Sequence, residues 1–280
     1  MRLTPSCSEP MALTNNRPHA EERPKAASRS TRPPPSFETR TLCAPQDEGG
    51  VRRALGSVLA ALIALGIAAT AHAQTAPTAD EIRIYAGLHE AAAKGDTAEI
   101  EKLVKEGERI NIQDSRSRTP LHVAVYLKKH DAARLLLKLG ANANALEIDR
   151  YDIVTIAAVA NELDMLKLAL DGGASARNIT SRYDGTALIA AAHLGHAEVV
   201  QMLIAAKAPL NHVNNLGWTA LMESIVLGNG GKNHTDTLKA LVDAGADVNI
   251  PDRQGTTPLQ RARRRGYVNM ARILEAAGAR

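Results

Sequence analysis

His193 and His196 stand three positions apart, so on a helix their imidazoles would share a face, the arrangement in which two histidines grip a transition metal. A closed zinc site needs further protein ligands, and no third one is evident beside this pair. The loop Gly228-Asn229-Gly230-Gly231-Lys232-Asn233 has the content of a phosphate cradle. It fails in detail: Asn233 follows Gly231-Lys232 where a hydroxyl would hold magnesium, Val226 stands where the first glycine belongs, and no strand leads in. Arg261, Arg263, Arg264 and Arg265 form a basic run that suits a solvated helix end or an acidic patch on a partner. Carboxylates are numerous, but nothing singles out a nucleophile, a base and an orienter acting together. The expectation is a protein that is not an enzyme, with no catalytic residue, metal or cofactor. A metal-binding or enzymatic role built on His193, His196 and residues 229–233 stays open as the alternative.

The elements that must position these residues occupy only part of the 280-residue chain. In residues 1–50, Arg17-Pro18, Arg23-Pro24 and Arg32-Pro33-Pro34-Pro35 lie among polar residues with no apolar periodicity. Such a segment cannot bury a core and is read as a disordered leader. Residues 51–73 follow the order of a secretory signal: Val51-Arg52-Arg53, an apolar stretch from Ala54 to Ala71, and Ala71-His72-Ala73 before Gln74. Cleavage is expected between Ala73 and Gln74. Valine before Arg52-Arg53 is what a bacterial GTG start would give, which would make residues 1–50 a mis-assigned gene start. The alternative is a genuine tail before an uncleaved, weak inner-membrane anchor over residues 54–71, near the lower length limit for a span. Both readings place residues 74–280 outside the cytoplasm, periplasmic or secreted in the first and tethered in the second.

Composition beyond Ala73 narrows the classes. The two cysteines, Cys7 and Cys43, lie in the leader, so residues 74–280 have no thiol for a disulfide or metal. The first 73 residues carry nine basic and six acidic side chains, leaving 25 basic against 24 acidic. The near balance gives no general attraction for nucleic acid.

Internal repetition organises the remainder. Leu88, Leu121, Val154, Leu188, Leu221 and Leu259 are spaced by 33, 33, 34, 33 and 38 residues. Three positions after each come Ala91, Ala124, Ala157, Ala191, Ser224 and Ala262, and each unit closes with Gly107, Gly140, Gly173, Lys207, Gly245 or Gly278. Asn111, Asn144, Arg177, Asn211 and Asn249 follow four places later in the first five. Thr119 and Thr257 are placed to cap a first helix, with Pro120 and Pro258 in the position after the cap. Gly95, Gly195, Gly228 and Gly266 fall where that helix must stop in a left-handed residue. Leu103, Leu136, Leu166, Leu203, Leu241 and Leu274 supply the apolar stripe of a second helix, and the asparagines are read as turn formers.

Thr119-Pro120-Leu121-His122-Val123-Ala124 matches the T-P-L-H-x-A pattern in full, with partial copies at Thr186, Thr219 and Thr257, and the array from about Ala79 to Arg280 resembles the ankyrin family. The resemblance implies an all-α solenoid of about six helix-turn-helix repeats with projecting β-hairpin loops. The repeats fall near 80–113, 114–147, 148–180, 181–213, 214–251 and 252–280. Gly195-His196 then becomes a Gly-His junction of the family, which gives His196 a structural role, and His89 and His122 recur at one scaffold position. Removing Asn229 to Asn233 restores Gly228-His234 as the same junction. Those five residues are an insertion between the two helices of the fifth repeat, expected to be mobile.

The resemblance further implies a monomeric protein-binding module, acting as a scaffold, stabiliser or inhibitor, including an immunity protein against an enzyme. Its partner would be another protein and not nucleic acid, with a membrane involved only through the 54–71 segment. Loop tips fall at Ser115, Arg116 and Arg118; Ile148, Asp149 and Tyr151; Arg182 and Tyr183; Asn215, Leu216 and Trp218; and Arg253 and Gln254. Concave helix positions are Tyr126 and Leu127, Val159, His193 and Leu194, Val226 and Leu227, and Arg264 and Arg265. From these, Tyr126, Leu127, Tyr151, Tyr183, His193, Leu194, Leu216, Trp218, Val226, Leu227, Arg264 and Arg265 are the expected partner-binding residues. The aromatic ones are read as solvent-facing rings with no packing need for their size.

Overall fold

The computed structural model describes residues 74–280; the leader, the apolar segment and Ala73 lie outside them. Thirteen helices are present among the described residues. A short α1 (Ala79–Ile84) precedes six pairs: α2 (Gly87–Lys94) with α3 (Thr97–Lys105), α4 (Pro120–Tyr126) with α5 (His130–Lys138), and α6 (Ile153–Val159) with α7 (Leu163–Asp171). Then come α8 (Ala187–Leu194) with α9 (Ala197–Ala205), α10 (Ala220–Val226) with α11 (Lys232–Asp243), and α12 (Pro258–Arg264) with α13 (Val268–Ala276). No described helix is long and apolar enough to cross a membrane.

Five of the six first helices start where a side-chain cap dictates, the exception being α2, which begins after Ala86. Thr119 Oγ1 accepts from the His122 amide while His122 Nδ1 faces back to the Thr119 N–H at 3.2 Å, a reciprocal capping box with Pro120 just inside. His122 Nε2 lies 3.1 Å from the Ala145 carbonyl and His89 Nε2 2.8 Å from that of Arg118. His89 thus links the first repeat to the second, and His122 ties the start of the second repeat to the loop that closes it. In the divergent third repeat Asp152 takes over the cap, accepting from the Thr155 amide at 2.8 Å.

Packing follows the register. Leu88, Leu121, Val154, Leu188, Leu221 and Leu259 are buried, as are the small residues three positions on. Leu136, Leu166, Leu203, Leu241 and Leu274 are buried on the second helices, and Leu103, in the first repeat, is partly covered. Small residues let first helices of successive repeats approach, so each pair's apolar side is buried by its neighbours rather than by itself.

Several local expectations need correction. Gly228 does not take the left-handed conformation; Gly230 does, at φ 70°. Gly228 is needed for space, since a Cβ there would meet the Ser224 carbonyl oxygen at 2.0 Å. The insertion is folded into the repeat: Lys232 and Asn233 begin α11, the Gly231 amide donates to Asn229 Oδ1 at 2.9 Å, and Gly230 lies against the Tyr267 ring. The projecting loops are single closed turns rather than two-stranded ladders, and Thr180 with Gly185 forms an isolated bridge.

Arg118, expected at a loop tip, is fully buried; its Nε donates to Asp114 Oδ2 at 2.7 Å and its Nη2 to Glu81 Oε1 at 2.6 Å. Helix α1 thereby closes over the first repeat.

The asparagines do more than form turns. Asn111 Oδ1 accepts from the Asn142 amide (2.8 Å), Asn144 Oδ1 from Ser175 (2.9 Å), Asn211 Oδ1 from Asp247 (2.9 Å) and Asn249 Oδ1 from Arg280 (2.9 Å), each reaching the next repeat. Between repeats three and four this form of link is missing, because Arg177 replaces the acceptor and Pro209 has no N–H to offer, and Arg177 Nη1 instead donates to the Lys207 carbonyl at 3.4 Å.

Candidate functional site

Repeats three, four and five turn one pocket of roughly 300 Å³ toward the concave side. Tyr151 and Thr155 come from the third repeat, Tyr183, Ile189, His193 and Leu194 from the fourth, and Asn214, Leu216, Trp218, Glu223 and Leu227 from the fifth. The first helices, the shorter member of every pair, supply Thr155, Ile189, His193 and Glu223 to it. The loops set the rim: the Asn215 amide donates to the Tyr183 carbonyl at 2.9 Å and the Ser181 amide to that of Arg150 at 3.0 Å, holding neighbouring turns in step. Asp149 bridges Arg116 and Arg182, each at 2.9 Å. At the N-terminal end Gln74 also lines the pocket, its Nε2 donating to the Thr155 carbonyl at 3.1 Å.

Seven of the twelve residues expected on the binding face converge here: Tyr151, Tyr183, His193, Leu194, Leu216, Trp218 and Leu227. Tyr126, Leu127, Val226, Arg264 and Arg265 do not line it. Two aromatics depart from the solvent-facing expectation. Tyr151 is only 7 % exposed and belongs to the core, because the chain has already turned inward past the loop tip at Arg150. Tyr126 packs partly against the core with its hydroxyl buried and unpartnered, and burial pushes its phenol up. Leu216, by contrast, is 39 % exposed. Arg265 stacks over Tyr267 at 5.1 Å, its Nε reaches the Tyr267 hydroxyl at 2.9 Å, and its guanidinium takes the carbonyls of Val226 and Gly228. It closes the end of α10.

Glu223 is the feature that sequence reasoning missed. Only 3 % exposed, it receives the Asn214 amide on Oε1 at 2.9 Å, whereas its Oε2 is buried without a hydrogen-bond partner. Burial pushes its carboxyl up to about 7, with the Asn214 bond pulling the other way. His193 Nδ1 is 3.7 Å from Oε2, and its imidazole is held below the usual histidine range by burial and then by His234. A partial signal for Glu223 existed in the register: the corresponding positions of the inner repeats two, three and four are Val123, Ile156 and Ala190, while the terminal repeats carry Glu90 and Arg261.

The histidines proposed as a metal pair diverge in use. His196 Nδ1 lies 3.0 Å from the Ala158 carbonyl, a link to the third repeat, while His193 stays at the pocket. His234 repeats the first arrangement, with Nε2 2.9 Å from the His193 carbonyl. Among the described residues no group of three or more His, Cys, Asp or Glu side chains is placed to hold a metal ion.

Comparison with known proteins agrees with this architecture. The family model described as Ankyrin repeats (3 copies) matches residues 88–178 and 154–252. The ankyrin repeat protein YahD of Escherichia coli strain K12 is 30% identical over 190 residues, covering 68% of this chain and 94% of YahD. The crystal structure of an ankyrin repeat domain from Acinetobacter baumannii AYE is 42% identical and covers 69% of this chain and 98% of that one, with a TM-score of 0.66. The ankyrin repeat domain of Bcl-3, described as a member of the IkappaB protein family, is 28% identical over 70% of this chain and 88% of its own, with a TM-score of 0.63. Ankyrin repeats are a protein-protein interaction module, and with its helix pairs, capping boxes and repeat length this chain belongs to the ankyrin-repeat family.

Proposed function

We propose that residues 74–280 work outside the cytoplasm as a binding module, holding a protein partner against the concave face of repeats three to five as a scaffold, stabiliser or inhibitor. The carrying observation is the convergence of Tyr183 and Trp218, from successive repeats, on one largely apolar pocket whose wall Tyr151 completes from the core. Tyrosine and tryptophan dominate binding hot spots because they bury much area for little lost freedom. The export half rests on the signal-like order of residues 51–73. Processing after Ala73 would leave Gln74, which lies against the pocket, as the first residue.

The test is capture from a periplasmic extract with wild type, Tyr183→Ala and Trp218→Ala side by side. A partner retained by wild type and weakened by more than about 1 kcal/mol in each variant, with circular dichroism unchanged, supports the reading. Equal capture by all three removes this face from consideration. Mass spectrometry of the envelope protein tests export: a first residue of Gln74 is expected, and abundant peptides from residues 1–50 would overturn the processing scheme.

A further inference from the structure

We propose that the pocket is a subsite for an organic cation, the ammonium of a lysine or the guanidinium of an arginine carried by the protein partner. The proposal rests on the reading above that this face is the docking surface, and it adds what the pocket selects.

Glu223 lines the pocket while almost wholly buried, so its carboxyl lies at the bottom. Asn214 satisfies one oxygen; the other has no donor. A buried acceptor left without a hydrogen bond is unfavourable, and a ligand that brings an N–H to it recovers that loss on binding. His193 does not serve, since 3.7 Å is beyond hydrogen-bond reach and the imidazole is held toward its neutral form. No lysine or arginine lines the pocket, and Glu223 is its one acidic residue. Once the carboxyl is ionised, the charge missing from the site is therefore positive.

The walls fit the remainder of such a side chain. Val159, Ile189, Leu194 and Leu227 offer apolar surface to an alkyl stem, and Tyr183 and Trp218 bring aromatic groups, whose ring faces attract cations within about 6 Å. Glu223 Oε2 is shielded from water, so the incoming head group must displace the imidazole beside it. His193, with its side chain 31 % exposed, has room to swing outward.

Trp218 is the only tryptophan in the chain, so its fluorescence reports on the pocket directly. The purified protein is titrated with the acetylated methylamides of lysine, arginine and norleucine, and with n-butylammonium. Lysine and arginine derivatives are expected to shift the emission saturably, norleucine at least tenfold more weakly, and n-butylammonium more weakly than the lysine derivative. Glu223→Gln should lower lysine affinity at least tenfold and leave norleucine affinity unchanged. Norleucine binding as tightly as lysine, no saturable shift with either basic derivative, or unchanged lysine affinity in Glu223→Gln overturns the proposal. The comparison of ligands on wild type decides the matter even if the variant folds poorly. Tighter binding of n-butylammonium than of the lysine derivative overturns the assignment to a protein-borne side chain. If Trp218→Ala loses the partner but Glu223→Gln keeps it at full affinity, the docking face stands and the cation subsite falls.

Discussion

Replacing Glu223 with glutamine should change how stability depends on pH more than it changes stability at any one pH. The carboxyl titrates near 7 in the folded protein and near 4.5 when unfolded. Between those values the folded state keeps a proton that the unfolded state has released, so unfolding free energy falls as pH rises and the loss is complete above 7. At about 1.4 kcal/mol per pH unit, the window amounts to about 3 kcal/mol. Glutamine has no proton to lose. Its amide oxygen can still accept from Asn214, and the shape of the site is preserved. The difference between variant and wild type isolates this one group. His122, which burial holds down to about 4, loses stability in the opposite direction as pH falls but does so in both proteins. Urea unfolding at pH 5, 6, 7 and 8, followed by circular dichroism and by Trp218 fluorescence, gives the difference. Glu223→Gln is expected to gain about 3 kcal/mol on wild type from pH 5 to pH 8, with His193, 3.7 Å away, the other titrating group in contact. A difference constant to within about 0.5 kcal/mol would mean that Glu223 is hydrated or paired, and the account of the pocket floor would fail.

Leu136→Ala removes a fully buried side chain and should cost about 2–5 kcal/mol by urea unfolding; a change under about 0.5 kcal/mol would put Leu136 on the surface. Tyr151→Ala, now read as a core change, should cost about 3 kcal/mol, and unchanged stability would return the ring to solvent. Lys207 holds φ 64° where the other five repeats have glycine, so Lys207→Gly is expected to stabilise by about 0.5–1 kcal/mol; a lower melting temperature would refute the strain argument. Deleting Asn229 to Asn233 should destabilise the last two repeats by more than about 1 kcal/mol, because it removes the helix start and the Gly230–Tyr267 contact. Retained stability would show that the repeat closes without them.

What could be read in advance was whatever every repeat shares. Leu88 through Leu259 and the small residues three positions on each see the same neighbours, so one register predicts six burials. Loop residues see different neighbours. Arg118 and Tyr151 sit just past a loop tip, where a rule based on distance from the tip says solvent; the turn at Ser117 or Arg150, each with positive φ, has already reversed the chain inward. Glu223 was invisible for another reason: an acid in one sequence looks alike whether buried or exposed, and only the contrast with Val123, Ile156 and Ala190 marks it. The asparagines were identified by place and mistaken in use, because their partners lie 31 to 36 residues onward. The insertion was located correctly, but its order depends on Tyr267 and Arg265 in the following repeat.

The asparagine-to-amide link absent at Arg177 and Pro209 sets the junction between the third and fourth repeats apart from the rest. Across the other four junctions a directional bond pins the base of each unit to the next, so sliding and separation are both resisted. Here the amide link is replaced by one long bond, from Arg177 Nη1 to the Lys207 carbonyl at 3.4 Å, added to apolar contact, which opposes separation but has no preferred direction within the plane of contact. At the loop tips the same junction is fastened by Arg150 to Asp184 and Arg182 to Asp149, both at 2.9 Å. The tips are fastened by two ion pairs and the helix ends by His196 to the Ala158 carbonyl, so the base is the least firmly tied edge of this junction. Tyr151 and Thr155 stand on one side of it, Tyr183, His193 and Trp218 on the other. A partner seated across the pocket would then act as a splint, adding over this junction the cross-ties that its base lacks.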